Sequence, residues 1–493
     1  MPIHFVACVF QYQNRLCIGA RGGLIASLKY DMAFFRTLTA GHMVVMGRKT
    51  WDSLPEAHRP LKDRVNIVLT RRGDGESSKA SFMNFDTFRA QYRRNANEVA
   101  QPPVYVIGGG EVFALFMAHA DMRPEHIYLT EAAFEPGTPG AKRLVEAFAA
   151  KEVSVMPHFD ASYRLKHYSD KIVDEEERCQ YRIMQYTREP AGQTEAPYLN
   201  LLGLIMATGK ERPDRTGVGT IGLFGSQLRF DISESVPLLT TKRVPWKSCI
   251  EELLWFLRGD TDAKVLQGKK VKIWDGNTSR EFLDARGLTN YNAGILGPGY
   301  GWAIRHFGAQ YHPLFADKAK LTESDERAIG GVDQLEYVID QLQTDPFSRR
   351  IMMCYWNPPD FEKIALLPCH FSCQFYVEEQ GGDRFLSCHF TMRSTDTFLG
   401  LSWNLLSYAT LTYIIAARVG MKPKDLVYTG GDVHIYKNHV DQVKEQLARE
   451  MRPFPKLVLE PSVATKAWKD ISVDDFDVVG YFPHAPISAP MAV

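Results

Sequence analysis

The chain concentrates its reactive side chains at a few places where neighbouring residues could act together. Pro368-Cys369-His370 sets a thiol beside an imidazole. Taken alone, such a cysteine is more often a small buried apolar residue than a nucleophile. A nucleophilic thiol needs positive charge to hold it as thiolate. Arginines for that purpose stand in Asp214-Arg215-Thr216-Gly217, in Arg349-Arg350 and in Arg393-Ser394. Guanidinium forks bind two phosphate oxygens at once, so these four could anchor a phosphorylated substrate while lowering the thiol's pKa. Singly, each also suits a solvated surface. Earlier, Gly108-Gly109-Gly110 follows VYVI and opens a helical pattern, where backbone N–H groups can approach a phosphate. It is not the dinucleotide fingerprint, because Phe113 takes the last position, and a ligand-free tight turn reads equally well. Arg48, Lys49 and Thr50 mark a second strand-to-helix junction. Asp31, in KYDMAFFR, is a lone acid at the start of an apolar helix, where a first-turn role is the plainer reading.

The elements that must hold these groups come in two styles. Up to residue 187, short apolar runs (Ile3–Val9, Met43–Met46, Val65–Thr70, Val104–Ile107, Ile127–Thr130) alternate with helix-compatible segments such as Lys29–Leu38 and Glu111–Ala118. That rhythm predicts an α/β domain with a largely buried sheet. Tyr163–Tyr168 and Cys179–Tyr186 predict a closing antiparallel pair around the acidic turn Asp174–Glu177. The polar stretch 188–197, with two prolines and a glycine, reads as a linker between domains over 1–187 and 198–493. Beyond it, residues 246–258 place Trp246, Ile250, Leu253, Leu254 and Leu257 on one helical face, with Trp255 and Phe256 making the other side apolar. Glu251 and Glu252 inside such a helix need a partner or a function. Leu405–Gly420 predicts a second long helix, and 369–378 and 385–392 alternate like strands.

A length of 493 residues suits two to four domains. With 45% hydrophobic and 24% charged residues, the composition argues against disorder as the main state. Lys+Arg and Asp+Glu both total 58, divided 25 to 23 before Pro197 and 33 to 35 from there on. Neither half has the basic balance of a dedicated nucleic-acid binder. The eight cysteines form no Cys-x-x-Cys pair and are too sparse for a disulfide scaffold. The start lacks the basic n-region and apolar core of a secretory signal, and no apolar run reaches about 18 residues. A reduced, cytoplasmic protein without membrane partner or resident metal is expected.

Motif order then carries a resemblance. DRTGVGT (214–220), TTKR (240–243), IEELLWFLRGDT (250–261), IWDGN (273–277), DPFSRR (345–350), LPCH (367–370), RSTDTFLGL (393–401) and TGGDVHIYKNH (429–439) occur in one sequence. From about Tyr198 to Val493 this resembles thymidylate synthase, an α+β fold. The resemblance implies that Cys369 attacks C6 of deoxyuridylate. Arg215, Arg393 and Ser394 would hold the 5′-phosphate, with Arg349 and Arg350 reaching it from the other subunit of a homodimer. Asn404 would read the uracil edge, with His370 in the same pocket, and His434 and Tyr436 would meet the sugar hydroxyl. Glu252 would manage proton transfer near the uracil carbonyl and Tyr300 would assist near C5. Trp274, Asn277 and Val493 would line the site of methylenetetrahydrofolate, and Asp396 would serve both folate and nucleotide.

Residues 2–187, with MGRKTWDSLP (46–55), VIGGGEVF and IYLTE, resemble dihydrofolate reductase. The implied fold is α/β with a mixed central sheet. By that resemblance Asp31 would bind the pterin and help protonate it, Thr130 would buttress Asp31, and Arg64 would pair with the folate α-carboxylate. Arg48, Lys49, Thr50 and Gly108 to Gly110 would hold NADPH phosphates, with Arg71 at the 2′-phosphate. Together the halves imply a bifunctional enzyme that methylates deoxyuridylate and reduces the dihydrofolate released.

Several positions depart from these patterns. Ile304 stands for a tryptophan, Met392 for a glutamine before Arg393, and Ser402-Trp403 for Pro-Phe before Asn404. In the first half Leu24-Ile25-Ala26 replaces Leu-Pro-Trp in the segment (20–28) that matches the family's mobile loop, 135–140 replaces a G-D-T-x-F-P-like segment, and Phe113 stands for a tyrosine. The loop change keeps a second reading open: a working synthase fused to a non-catalytic binding or scaffolding module.

Overall fold

In a computed structural model of the chain, residues 2–71, 75–77, 80–95, 102–189, 193–312, 315 and 328–491 are described. The chain divides into two compact units, 1–192 and 193–493. The segment expected to link them is shorter than ten residues. The last strand of the first unit runs through Arg188, and Ala196 and Pro197 already form the first turn of the Ala196–Thr208 helix. Proline is favoured there because its missing N–H has no helical acceptor to lose.

The first unit is built on strands β1 Ile3–Tyr12, β2 Arg15–Ala20, β3 Met43–Gly47, β4 Val65–Leu69, β5 Gly75–Ser77, β6 Ala80–Met83, β7 Val104–Gly108, β8 His126–Phe134, β9 Val153–Met156, β10 Tyr163–Tyr168, β11 Ile172–Asp174 and β12 Cys179–Arg188. The main sheet runs β10-β12-β8-β1-β7-β3-β4-β6-β5. Its centre, from β8 to β6, is parallel, while β12 with β10 beyond it on one side and β5 on the other are antiparallel. Parallel strands covered on both faces need apolar residues at consecutive positions. Val44, Val45, Met46, Val104 and Val106 are accordingly buried in succession or alternation. The result is the α/β sheet that the alternating pattern predicts, mixed as the resemblance implies.

The second unit adds β13 Lys210–Arg212, β14 Thr220–Asp231, β15 Met352–Cys354, β16 His370–Gln380, β17 Asp383–Asp396 and β18 Lys422–Tyr436, in the order β13-β14-β18-β17-β16-β15. β17 and β18 run parallel, joined by the helix Gly400–Val419, and the other neighbours are antiparallel. That helix starts five residues before the predicted Leu405. The Asp396 carboxylate accepts the N–H groups of Phe398 and Leu399, both at 3.0 Å, which sets the turn into it. Gly420 ends it at φ +67°, a conformation glycine adopts without steric cost. The Trp246–Leu257 helix packs against it and is buried at every residue from Cys249 onward, as its all-round apolar sequence demands. Along β16, Cys373, Phe375 and Val377 enter the core while Gln374 and Tyr376 point away from it. That outer face is uncovered in a single chain: Tyr376 is 65% exposed and Phe224, on β14, is 90% exposed.

Candidate active sites

In the second unit, strand register assembles a pocket around Cys369. The thiol lies one residue before β16, and the Arg393 N–H donates to the Cys369 carbonyl at 2.9 Å. The Arg393 guanidinium turns back to the carbonyls of Pro368 (2.8 Å) and Leu367 (3.2 Å) and lies over Trp356. Parallel pairing of β17 with β18 sets Ser394 opposite Asp432 and Asp396 opposite His434. The His434 Nδ1 is 3.0 Å from the Asp432 carboxylate, and Tyr436 packs edge-on against the His434 ring. Arg215 sits on a loop tied down by Asp214, which accepts from the N–H groups of Thr216 and Gly219. The charges of Arg393 and Arg215 both reach the Cys369 thiol and draw its pKa down, yet desolvation prevails and the thiol stays above its ordinary value. Within one chain only two of the four arginines act on the thiol, and they offset part of the effect of its burial. Arg349 and Arg350 lie on an exposed segment before β15 and do not take part.

Behind the thiol, neutral groups are hydrogen-bonded in series. The Tyr300 oxygen accepts the N–H groups of Cys369 (2.7 Å) and His370 (3.4 Å). Burial lowers the His370 pKa to about 4, so the ring is neutral at physiological pH. Its Nε2 is 3.0 Å from the Asn404 amide nitrogen and its Nδ1 is 3.0 Å from the Tyr408 hydroxyl. Asn404 is thereby oriented through the donor it gives to His370.

The two helix glutamates have separate partners. Glu251 is 2.6 Å from the Lys269 ammonium. Among the described residues, Glu252 meets no ammonium or guanidinium. Its Oε1 accepts from Trp274 Nε1 (2.7 Å) and its Oε2 from Trp403 Nε1 (2.6 Å). Desolvation raises its pKa to about 7 against those two donors, which suits proton exchange near neutral pH. Asn277 is buried on the turn after Trp274. Val493 lies outside the described residues.

In the first unit, Thr130 on β8 donates its hydroxyl to Asp31 Oδ1 at 2.5 Å. Burial raises the Asp31 pKa, and the Thr130 hydrogen bond partly opposes that. Arg64 is held by the Thr39 hydroxyl (2.8 Å) and the carbonyls of Lys62 (2.7 Å) and Arg36 (3.0 Å), stacked over Phe35. The second cluster forms because β3 and β7 pair, which places both strand-to-helix junctions side by side. A Cβ at Gly109 would sit 3.2 Å from the Thr50 hydroxyl, and one at Gly110 would sit 2.1 Å from the Val155 carbonyl. Gly108 has φ +138°. Glu111, in the first turn of the Gly110–Met117 helix, collects Lys49 (3.7 Å) and Arg71 (3.1 Å), while Arg48 pairs with Asp52 at 2.9 Å. A backbone too close for any side chain, beside exposed cations, fits a phosphate-bearing cofactor.

The altered positions have been absorbed structurally. Met392, 3% exposed, points into the core on the opposite face from Arg393. Ile25 and Ala26 pack on the cluster of Phe10, Leu28 and Tyr181. Phe113 stacks at a tilt on Phe5, with 4.9 Å between centroids. Two groups were not anticipated: Tyr408, which orients His370, and Trp403, whose replacement of phenylalanine was visible although its contact with Glu252 was not.

Comparison with known proteins covers the same two units. A family model described as dihydrofolate reductase matches residues 5–188, and one described as thymidylate synthase matches 196–493. Bifunctional dihydrofolate reductase-thymidylate synthase from Leishmania major is 38% identical, the alignment covering 94% of this chain and 90% of the relative. The relative of that name from Zea mays is 38% identical, and the one from Arabidopsis thaliana numbered 1 is 39% identical, each over 97% of this chain and 94% of the relative. With both family models matched in order and relatives aligned almost end to end, the chain belongs to the bifunctional dihydrofolate reductase–thymidylate synthase family.

Proposed function

We infer that this chain catalyses two linked reactions: methylation of deoxyuridylate to thymidylate in the second unit, and reduction of the resulting dihydrofolate in the first. The observation that carries the reading is that each unit keeps its own reaction centre, a thiol flanked by Arg215 and Arg393 in one and the Asp31–Thr130 pair in the other. The non-catalytic reading of the first unit gains no support, because Ile25 and Ala26 are accommodated while Asp31 keeps its partner.

In the synthase site Arg215, Arg393 and Ser394 receive the 5′-phosphate, and His434 and Tyr436 the sugar hydroxyl. Asp396 shapes the turn between the nucleotide and folate subsites. Two negative charges on the phosphate would otherwise oppose thiolate formation, so the guanidiniums must neutralise them as well as favour Cys369 ionisation. The thiolate adds to C6 of the pyrimidine, and Asn404, fixed by His370, bonds its amide edge. Glu252 exchanges protons near the pyrimidine carbonyl, and Tyr300 holds the Cys369–His370 backbone in place beside C5. Methylenetetrahydrofolate, bound along Trp274, Asn277 and the C-terminal Val493, supplies the one-carbon unit and a hydride.

In the reductase site Asp31 bonds the pterin and holds the proton that its raised pKa favours, Thr130 fixes its other face, and Arg64 meets the folate carboxylate. Arg48, Lys49, Thr50, Arg71 and Gly108 to Gly110 hold NADPH, which supplies the hydride when bound. Dihydrofolate-dependent NADPH oxidation that is present in the purified chain and lost in Asp31→Asn supports this assignment, whereas oxidation unchanged in that variant overturns it.

The synthase works as a homodimer in this reading. The exposed apolar positions Phe224, Met352, Phe371 and Tyr376 on the outer sheet face offer a surface for a second copy. Arg349 and Arg350, idle in their own chain, would complete the phosphate site of the other. Mixing Cys369→Ser with Arg350→Ala protein should restore part of the synthase activity that each lacks alone. No recovery after subunit exchange would contradict a shared site. The protein's eight free thiols suit the reducing cytoplasm.

A further inference from the structure

Glu252 is held by a donor that the usual phenylalanine at this position would not provide. Trp403 gives its indole N–H to Oε2 at 2.6 Å, while Trp274 gives its own to Oε1 at 2.7 Å. An indole nitrogen only donates, so both contacts act on the ionised carboxylate in the same direction. We propose that Trp403 is a positioning residue of the synthase reaction, clamping the second oxygen of Glu252 so that the acid faces the pyrimidine in one orientation. The inference rests on the reading of Glu252 as the proton-handling acid.

The backbone around Trp403 strengthens the case. Its carbonyl accepts from the Cys249 thiol (3.2 Å), which lies on the Glu252 helix, and from the Ser407 hydroxyl (3.2 Å). Asn404, the next residue, bonds His370 beside the nucleophile. One helical turn therefore fixes both the proton-handling acid and the group that reads the base, so a shift of either is felt by the other.

The groups that titrate around Glu252 do not substitute for this contact. Cys249 on its own helix and Tyr300 from the Tyr300–Arg305 helix are both pushed up by burial and stay neutral. Charges on the neighbouring elements are engaged elsewhere: Lys269 with Glu251, Arg305 with Asp333, and Asp475 with Lys466. Loss of the indole N–H removes one of two donors from a buried anion. Its ionisation then moves upward, by about one pH unit for a hydrogen bond to a charged group.

The test is the pH profile of kcat for thymidylate formation in the full-length protein, Trp403→Phe and Glu252→Gln. Glu252→Gln should abolish the ionisation near pH 7. Trp403→Phe should keep it but move it up by about one unit, with KM for deoxyuridylate within roughly twofold. A Trp403→Phe profile that superimposes on the parent overturns the positioning role. A Glu252→Gln profile that retains the ionisation overturns instead the reading beneath it. Should Trp403→Phe fail to fold, benzothienylalanine at 403 keeps the shape without the N–H, and the same shift or its absence decides.

Discussion

A single methyl group at position 110 tests whether the glycine turn cradles the nicotinamide cofactor. Gly110 lies at a helix start without a positive φ, so alanine meets no backbone strain there. Helix propensity alone would favour it by about 1 kcal/mol. The obstacle is steric. An added Cβ would lie 2.1 Å from the Val155 carbonyl oxygen, where ordinary contact begins at 3.4 Å, so 3.4 − 2.1 = 1.3 Å must be found. The obstructing atom is backbone on β9 and cannot swing aside, so the Gly110–Met117 helix or β9 has to move. Overpacking of this kind costs about 1–3 kcal/mol. A comparable displacement of the N–H groups breaks hydrogen bonds that work only near 2.7–3.2 Å, each worth about 1.5–3 kcal/mol to a charged ligand. Gly110→Ala should therefore weaken NADPH binding by about tenfold or more, since 1.4 kcal/mol is a factor of ten. Fluorescence titration of NADPH, with thymidylate formation as the internal control, reads this directly. Binding within about twofold of the parent, or a first unit made more stable as propensity alone predicts, would refute the cradle.

Other consequences are equally specific. Thr130→Val removes the hydroxyl that opposes the burial of Asp31, so its already raised pKa should rise further and the alkaline limb of NADPH oxidation should move up with it. For a carboxylate raised in the folded state, stability is greatest below the unfolded pKa and is lost as pH rises through the folded one. The variant should thus lose thermal stability between mildly acidic and neutral pH, and a flat difference would contradict the assignment. Cys369→Ser should abolish thymidylate formation while leaving deoxyuridylate binding by calorimetry nearly intact, because the proposed assignment puts the phosphate and base contacts on other residues. Glu195 accepts from the N–H groups of Thr240 (2.5 Å) and Thr241 (3.2 Å) and from both hydroxyls. Glu195→Ala strands those donors in the core and should lower the stability of the second unit by about 3–5 kcal/mol, read by chemical denaturation with the first unit's transition unmoved.

Long apolar runs made the architecture legible. Parallel strands such as Met43–Gly47 and Val104–Gly108 must be apolar at consecutive positions, and the buried Trp246–Leu257 helix advertised itself by Trp255 and Phe256 on the side opposite its main apolar face. Boundaries set by single side chains were harder to read. The early start of Gly400–Val419 depends on one Asp396 oxygen, and the short linker depends on a helix that accepts proline in its first turn. In the candidate sites, motif spacing singled out Cys369, Arg215, Arg393 and Asp31, and the fold sets the first three near one another. It could not weigh desolvation against two guanidiniums at Cys369, because that balance depends on burial from distant segments. Nor could it show that Trp403 reaches a carboxylate 151 positions away in sequence.

The most direct test of the account follows both products in one reaction. Purified protein given deoxyuridylate, methylenetetrahydrofolate and NADPH should form thymidylate and oxidise NADPH mole for mole. Asp31→Asn should still form thymidylate but leave NADPH untouched, and Cys369→Ser should do neither, yet oxidise NADPH once dihydrofolate is added. Thymidylate formed by the parent without NADPH oxidation, or oxidation undiminished in Asp31→Asn, would contradict the claim that one chain carries two independent reaction centres.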